Sequence, residues 1–88
     1  MLDRVSSSTA ERVTALVHQL LAKRGIAGPV RRDDDLAASG LSSLDMVNLM
    51  LAVEAEFELK IPDRDMTPAN FRTVARIDAL IGSLLESA

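Results

Sequence analysis

The sequence predicts an all-α fold, a four-helix bundle of three main helices and one short one, with a long loop between the first and second main helices. Three observations carry that prediction. Apolar residues recur at helical spacing in three separate stretches, each stretch is preceded by a hydroxyl residue suited to capping, and no strand signal is present. With 48% hydrophobic residues but only 2% aromatic, the core is expected to be aliphatic, with Phe57 and Phe71 as its only large rings. Phe57 is expected in that core, so Phe57→Ala is expected to cost about 3–5 kcal/mol.

The first helix opens on Ser8-Thr9-Ala10-Glu11, which fits a capping box in which Glu11 reaches back to Ser8. Val13, Leu16, Val17, Leu20 and Leu21 then make one apolar stripe. Gly25 ends the helix, with Lys23 and Arg24 near its negative end. Residues 26–42 show no sustained periodicity, and a loop of that length inside a compact domain tends to be functional. Ile26, Val30 and Leu36 are expected to pin it to the core as an ordered crossing.

The second helix, residues 43–57, is apolar on more of its circumference than a surface helix needs. Met46, Leu49, Met50, Val53 and Phe57 form a stripe assigned to the core. Leu44, Val47 and Leu51 form a second stripe beside it, assigned to a docking face. Residues 58–63 leave the helix in extended form, because Pro62 disfavours the α region at Ile61. Thr67-Pro68 reads as an N-cap followed by proline at the first helical position, giving a short helical turn to about Phe71. Thr73 caps the last helix, where Val74, Ile77, Leu80, Ile81 and Leu84 recur.

Eighty-eight residues are expected to form one domain over 1–88, with residues 1–7 flexible. The formal net charge of −3 gives no reason to seek phosphate backbones, which argues against a nucleic-acid partner. There is no cysteine, so the chain has no disulfide, thiol nucleophile or thiolate metal site of its own. Thiol chemistry would have to arrive on a cofactor. No stretch reaches the length that spans a bilayer, and the first residues lack a basic segment followed by an apolar run. No membrane partner and a cytoplasmic location are therefore expected.

The chemistry-bearing stretch is Gly40-Leu41-Ser42-Ser43-Leu44-Asp45, where small loop residues give way to the second helix. A helix start leaves backbone N–H groups without intrahelical partners and carries the positive end of the macrodipole, so it favours an anion. Ser42 and Asp45 read as a capping pair. Ser43, the first helical residue, is left as the hydroxyl open to modification.

Competing signals are weaker. A calcium loop opening at Asp33 would need glycine and glutamate where Ala38 and Leu44 stand, and one opening at Asp63 would need them at Pro68 and Val74. Asp33, Asp34 and Asp35 are read instead as solvated carboxylates that cap or pair with Arg31 and Arg32, and no metal site is assigned. His18 lies in mid-helix and is read as a partly exposed helical residue. A triad with Ser43 would need a cleft and an oxyanion hole that a small bundle seldom provides. No catalytic residue is assigned, and any modification of Ser43 falls to a separate enzyme.

Taken together, these motifs resemble the acyl carrier proteins and the peptidyl or aminoacyl carrier proteins, small four-helix domains that bear 4′-phosphopantetheine. The resemblance runs from Glu11-Arg12-Val13 through Asp35-Leu36 and Gly40-Leu41-Ser42-Ser43-Leu44 to Phe57, Ile61-Pro62-Asp63 and Thr73-Val74. The family's Asp-Ser-Leu signature falls on Ser42, Ser43 and Leu44, with serine in place of the aspartate. By this resemblance Ser43 receives phosphopantetheine from coenzyme A through a phosphopantetheinyl transferase. The arm's thiol then carries an acyl or aminoacyl group as a thioester between partner enzymes, a shuttle that a monomer suits.

The expected contact face is Leu44, Asp45, Val47, Asn48, Leu51 and Glu54. Fatty-acid carriers are more acidic on this helix, and Asn48, Leu51 and Ala55 depart from that pattern. The Ala-Ala-Ser-Gly-Leu-Ser-Ser run, Ile-Pro-Asp-Arg and Thr-Pro-Ala-Asn-Phe look most like stand-alone bacterial carriers, some of which are loaded by ligases that resemble seryl-tRNA synthetase catalytic domains. That implies an amino acid:carrier protein ligase and a downstream transferase or synthase as partners. A carrier of fatty acid or polyketide synthesis, an unmodified helical adaptor, and a small regulatory or DNA-binding helical domain stay open as alternatives.

Overall fold

The computed structural model describes residues 8–87, so the expected flexibility of residues 1–7 lies outside it. Four α-helices follow in the order α1 (Thr9–Lys23), α2 (Leu36–Ser39), α3 (Ser43–Phe57) and α4 (Val74–Ser87), with a 3₁₀ turn at Asp63–Asp65 between α3 and α4. No strand occurs among the described residues. α1 packs against both α3 and α4. Its Val13, Val17 and Leu21 meet Leu49 and Val53 of α3 and Val74, Ile77 and Ile81 of α4 in one aliphatic core.

The caps form where the local pattern places them. Ser8 Oγ accepts from the Glu11 N–H at 3.1 Å while the Glu11 carboxylate accepts from the Ser8 N–H at 2.8 Å. At the other end Gly25 takes a positive φ of 74°. The Ile26 N–H then bonds to the Leu21 carbonyl and the Gly25 N–H to the Ala22 carbonyl, which closes the helix in a Schellman turn. Thr73 caps α4, its hydroxyl accepting from the Arg76 N–H at 3.1 Å.

The crossing between α1 and α3 is ordered and contains α2, which the sequence pattern did not reveal. Four residues are too few to display a period. Its N-cap is Asp35, whose carboxylate accepts from the Ala38 N–H at 3.1 Å, and it buries Leu36 completely. The crossing is tied to α4 through Arg32, whose carbonyl accepts from the Ala75 N–H and whose guanidinium meets Asp78 at 3.2 Å. Of the three aspartates, Asp34 accepts from the Arg31 backbone N–H, whereas Arg32 pairs across to α4 rather than with a neighbour in the loop. Gly40 follows α2 with φ 127°, and a Cβ there would run into the Ile26 side chain. Only glycine suits that position.

Two expectations are corrected. The Thr67-Pro68 segment makes a turn held by single bonds to Asn70 and Phe71, not an α-helix; the short helix lies at α2. Phe57 is only partly buried, with the Arg12 guanidinium 4.2 Å from its ring centroid, because it stands in the last turn of α3 at the edge of the bundle. Phe71, on the turn before α4, is the largest fully buried side chain.

Candidate functional site

The two adjacent serines have different environments. Ser42 is the N-cap of α3: its Oγ accepts from the Asp45 N–H at 3.2 Å, and its own N–H donates to the Asp45 carboxylate at 2.9 Å. Arg24, at the end of α1, adds a third connection. Its guanidinium bonds both Asp45 oxygens, at 2.7 and 3.1 Å, and reaches Ser42 Oγ at 3.2 Å. Ser43 is exposed in the first turn, and its hydroxyl makes no side-chain hydrogen bond among the described residues.

Asp45 is only 6% exposed. The hydrogen bond from Arg24, and after it that from the Ser42 N–H, hold its carboxyl below the usual carboxylate range against the opposing effect of desolvation. A lowered carboxyl pKa contributes stability that is fully present above the unfolded value of about 4 and is lost as pH falls through the folded value. Asp45→Asn is therefore expected to melt at a midpoint that changes less than the wild type's below about pH 4. Thermal melts across that range check this; parallel curves would show that the pair adds nothing to acid stability.

The same contacts revise the expected partner face. Asp45 is turned into the α1–α3 junction, and Glu54 is half-buried with its carboxylate accepting from the Ile61 N–H at 2.7 Å. Both carboxylates are spent on the fold. Of the expected face, what remains outward is Leu44, Val47 and Leu51, at 67, 48 and 55% exposure, with exposed Asn48 between them. These large apolar side chains form one exposed group on the helix.

Beside Ser43 lies an open, mainly apolar cleft of about 420 Å³. It is lined by Ser43, Met46, Val47 and Met50 of α3, by Pro68 and Arg72 of the following turn, and by residues of the α2 region including Asp35 and Leu41. His18 is exposed on α1 and is not part of this lining. Sequence reasoning missed Arg24, Pro68 and Arg72 as neighbours of the serine pair, since no local spacing links them to it. Among the described residues there is no cluster of metal-ligating side chains, and no helix is long and apolar enough to cross a membrane.

An exposed, uncommitted hydroxyl at the start of a well-capped helix fits a covalently bound phosphodiester: it offers a nucleophilic oxygen on a rigid element and unpaired backbone N–H groups toward the anion. The comparisons with known proteins agree. The family model described as "Phosphopantetheine attachment site" matches residues 11–81. The chain is 37% identical to aminoacyl carrier protein 1 of Bradyrhizobium diazoefficiens, covering 99% of this chain and 97% of that one. It is 42% identical to aminoacyl carrier protein 2 of the same organism, covering 98 and 97%. In structure it is similar, with a TM-score of 0.77 and 35% identity over 85% of this chain and 96% of the other, to a chain in the crystal structure of Bradyrhizobium japonicum glycine:[carrier protein] ligase complexed with its cognate carrier protein and an analogue of glycyl adenylate. The chain therefore belongs to the phosphopantetheine attachment family, the helical carrier proteins that bear this group covalently.

Proposed function

We propose that Ser43 is the attachment residue and that the chain, as a single carrier domain, holds an aminoacyl group loaded by an amino acid:carrier protein ligase. The observation that carries the assignment is the division of labour between the serines. Ser42 is committed to the cap and to Arg24, whereas Ser43 is exposed and uncommitted. Attachment forms a bond from Ser43 Oγ to phosphorus and breaks the pyrophosphate link of coenzyme A, with adenosine 3′,5′-bisphosphate as leaving group. The Ser43 proton passes to a base of the transferase, since no side-chain base of this chain hydrogen-bonds to Ser43 among the described residues. The chain itself acts as a non-catalytic holder.

Once bound, the group supplies the thiol that this cysteine-free chain lacks, on which cargo is held as a thioester. The N–H groups at the start of α3 favour the attached anion by about 0.3–1 kcal/mol, an effect secondary to the covalent ester. Tethering gives the cargo a high effective concentration at each enzyme's active site. An aminoacyl cargo is supported by the two named relatives and by the similarity to a chain in a glycine:[carrier protein] ligase complex. Leu44, Val47, Asn48 and Leu51 form the face that ligase, transferase and downstream synthase grip in turn, on a monomeric shuttle in the cytoplasm.

Intact mass spectrometry tests this reading in two stages. Coenzyme A with a promiscuous phosphopantetheinyl transferase is expected to add one phosphopantetheinyl group. ATP, glycine and a glycine:carrier protein ligase are then expected to add one glycyl group that hydroxylamine removes. Absence of the first increment rejects carrier function. The first without a second from any amino acid rejects the aminoacyl assignment alone.

A further inference from the structure

We propose that the Arg72 guanidinium is the counter-cation of the phosphodiester at Ser43, and so sets the direction in which the prosthetic arm leaves the bundle. This rests on Ser43 being the attachment residue. Among the described residues, Arg72 is the one basic residue lining the cleft that contains Ser43. Its backbone is held firmly. The Arg72 carbonyl accepts from the Leu36 N–H at 2.9 Å, Phe71 before it is fully buried, and Thr73 after it caps α4.

Its head group is uncommitted. Arg12, Arg24 and Arg32 each have a carboxylate within 3.2 Å. Arg72 is exposed and has no side-chain ion pair or hydrogen bond among the described residues. A guanidinium with a fixed root and a free fork can accept an anion that arrives later without first breaking an existing pair. Its planar donors match the two non-bridging oxygens of a phosphodiester.

The other charges nearby are already engaged. Asp35 lines the same cleft and would oppose an anion, but its carboxylate is held on the Ala38 N–H as the cap of α2. Asp45, close in sequence, is held by Arg24. Pairing with Arg72 draws the root of the arm toward Pro68 and away from Leu44 and Leu51. Leu44 and Leu51, which do not line this cleft, are then left clear for the approaching enzyme.

Phosphorus NMR on the loaded protein tests the pairing directly, with mass spectrometry confirming that each sample carries the group. The ³¹P resonance of Arg72→Gln is expected to be displaced from that of the wild type at low salt, with Arg72→Lys lying closer to the wild type. Raising the salt is expected to move the wild-type resonance toward the glutamine position and to leave the variant unmoved, because an exposed ion pair is screened. The stabilisation of the loaded over the unloaded protein, read as a difference in melting midpoint, is expected to shrink in Arg72→Gln. The unloaded proteins are expected to melt together. Identical ³¹P positions for the loaded wild type and Arg72→Gln overturn the proposal while leaving Ser43 as the attachment residue. A wild type that gains no mass overturns both.

Discussion

Ser43→Ala is expected to abolish mass gain from coenzyme A and transferase while melting with the wild type, and Ser42→Ala is expected to do the reverse. The Ser43 hydroxyl makes no side-chain hydrogen bond among the described residues, so its removal leaves no buried group unsatisfied. Alanine is the best helix former and suits the first turn, so the stability change is expected to stay within about 0.5 kcal/mol. Ser42 Oγ, by contrast, receives the Asp45 N–H and the Arg24 guanidinium. Losing such a cap costs about 0.5–2 kcal/mol, while the Ser43 oxygen stays in place to be loaded. Intact mass and thermal melting on both variants check the pair. Loading that persists in Ser43→Ala, or disappears from a folded Ser42→Ala, would overturn the assignment.

Phe71→Ala is expected to cost about 3–5 kcal/mol, and Phe57→Ala distinctly less. Phe71 is fully buried on the turn that also carries Pro68 and Arg72, so truncation leaves a cavity beneath the cleft wall as well as removing apolar contact. Phe57 keeps one face under Arg12 at the bundle edge, where neighbours and water can fill the space. A domain of this size is stabilised by about 5–15 kcal/mol in all, so the Phe71 variant gives up a large share. Its melting midpoint is expected to fall by about 12 °C or more. Denaturant titration of both variants measures the difference; equal losses would contradict the separation of roles.

What the sequence made legible is what its local chemistry controls. The boxes Ser8/Glu11 and Ser42/Asp45 and the cap at Thr73 act within a single turn, and a spacing of three residues is enough to find them. The stripes of α1, α3 and α4 are long enough for periodicity to emerge, which is why the core and the exposed trio on α3 were both readable. α2 was hidden because it has one buried residue and no period. Periodicity also cannot rank two phenylalanines, since burial depends on which end of a helix the rest of the chain covers.

The site divides in the same way. Ser43 could be singled out as the candidate because its neighbour is so plainly a cap. Arg24 lies 21 residues from Asp45, and its pairing arises only when the Schellman turn at Gly25 sets the end of α1 against the start of α3. That tertiary pairing removed Asp45 from the contact face to which its sequence position had assigned it. The cleft wall at Pro68 and Arg72 likewise depends on how the turn before α4 folds back.

The side chains that hold the bundle together and those that face solvent share α3 but barely overlap. Leu49 and Val53 are sealed inward, while Leu44, Val47 and Leu51 stand in solvent. Substitutions on the outward trio carry little thermodynamic penalty, so, with that trio as the proposed contact face, partner choice can be retuned without endangering the scaffold.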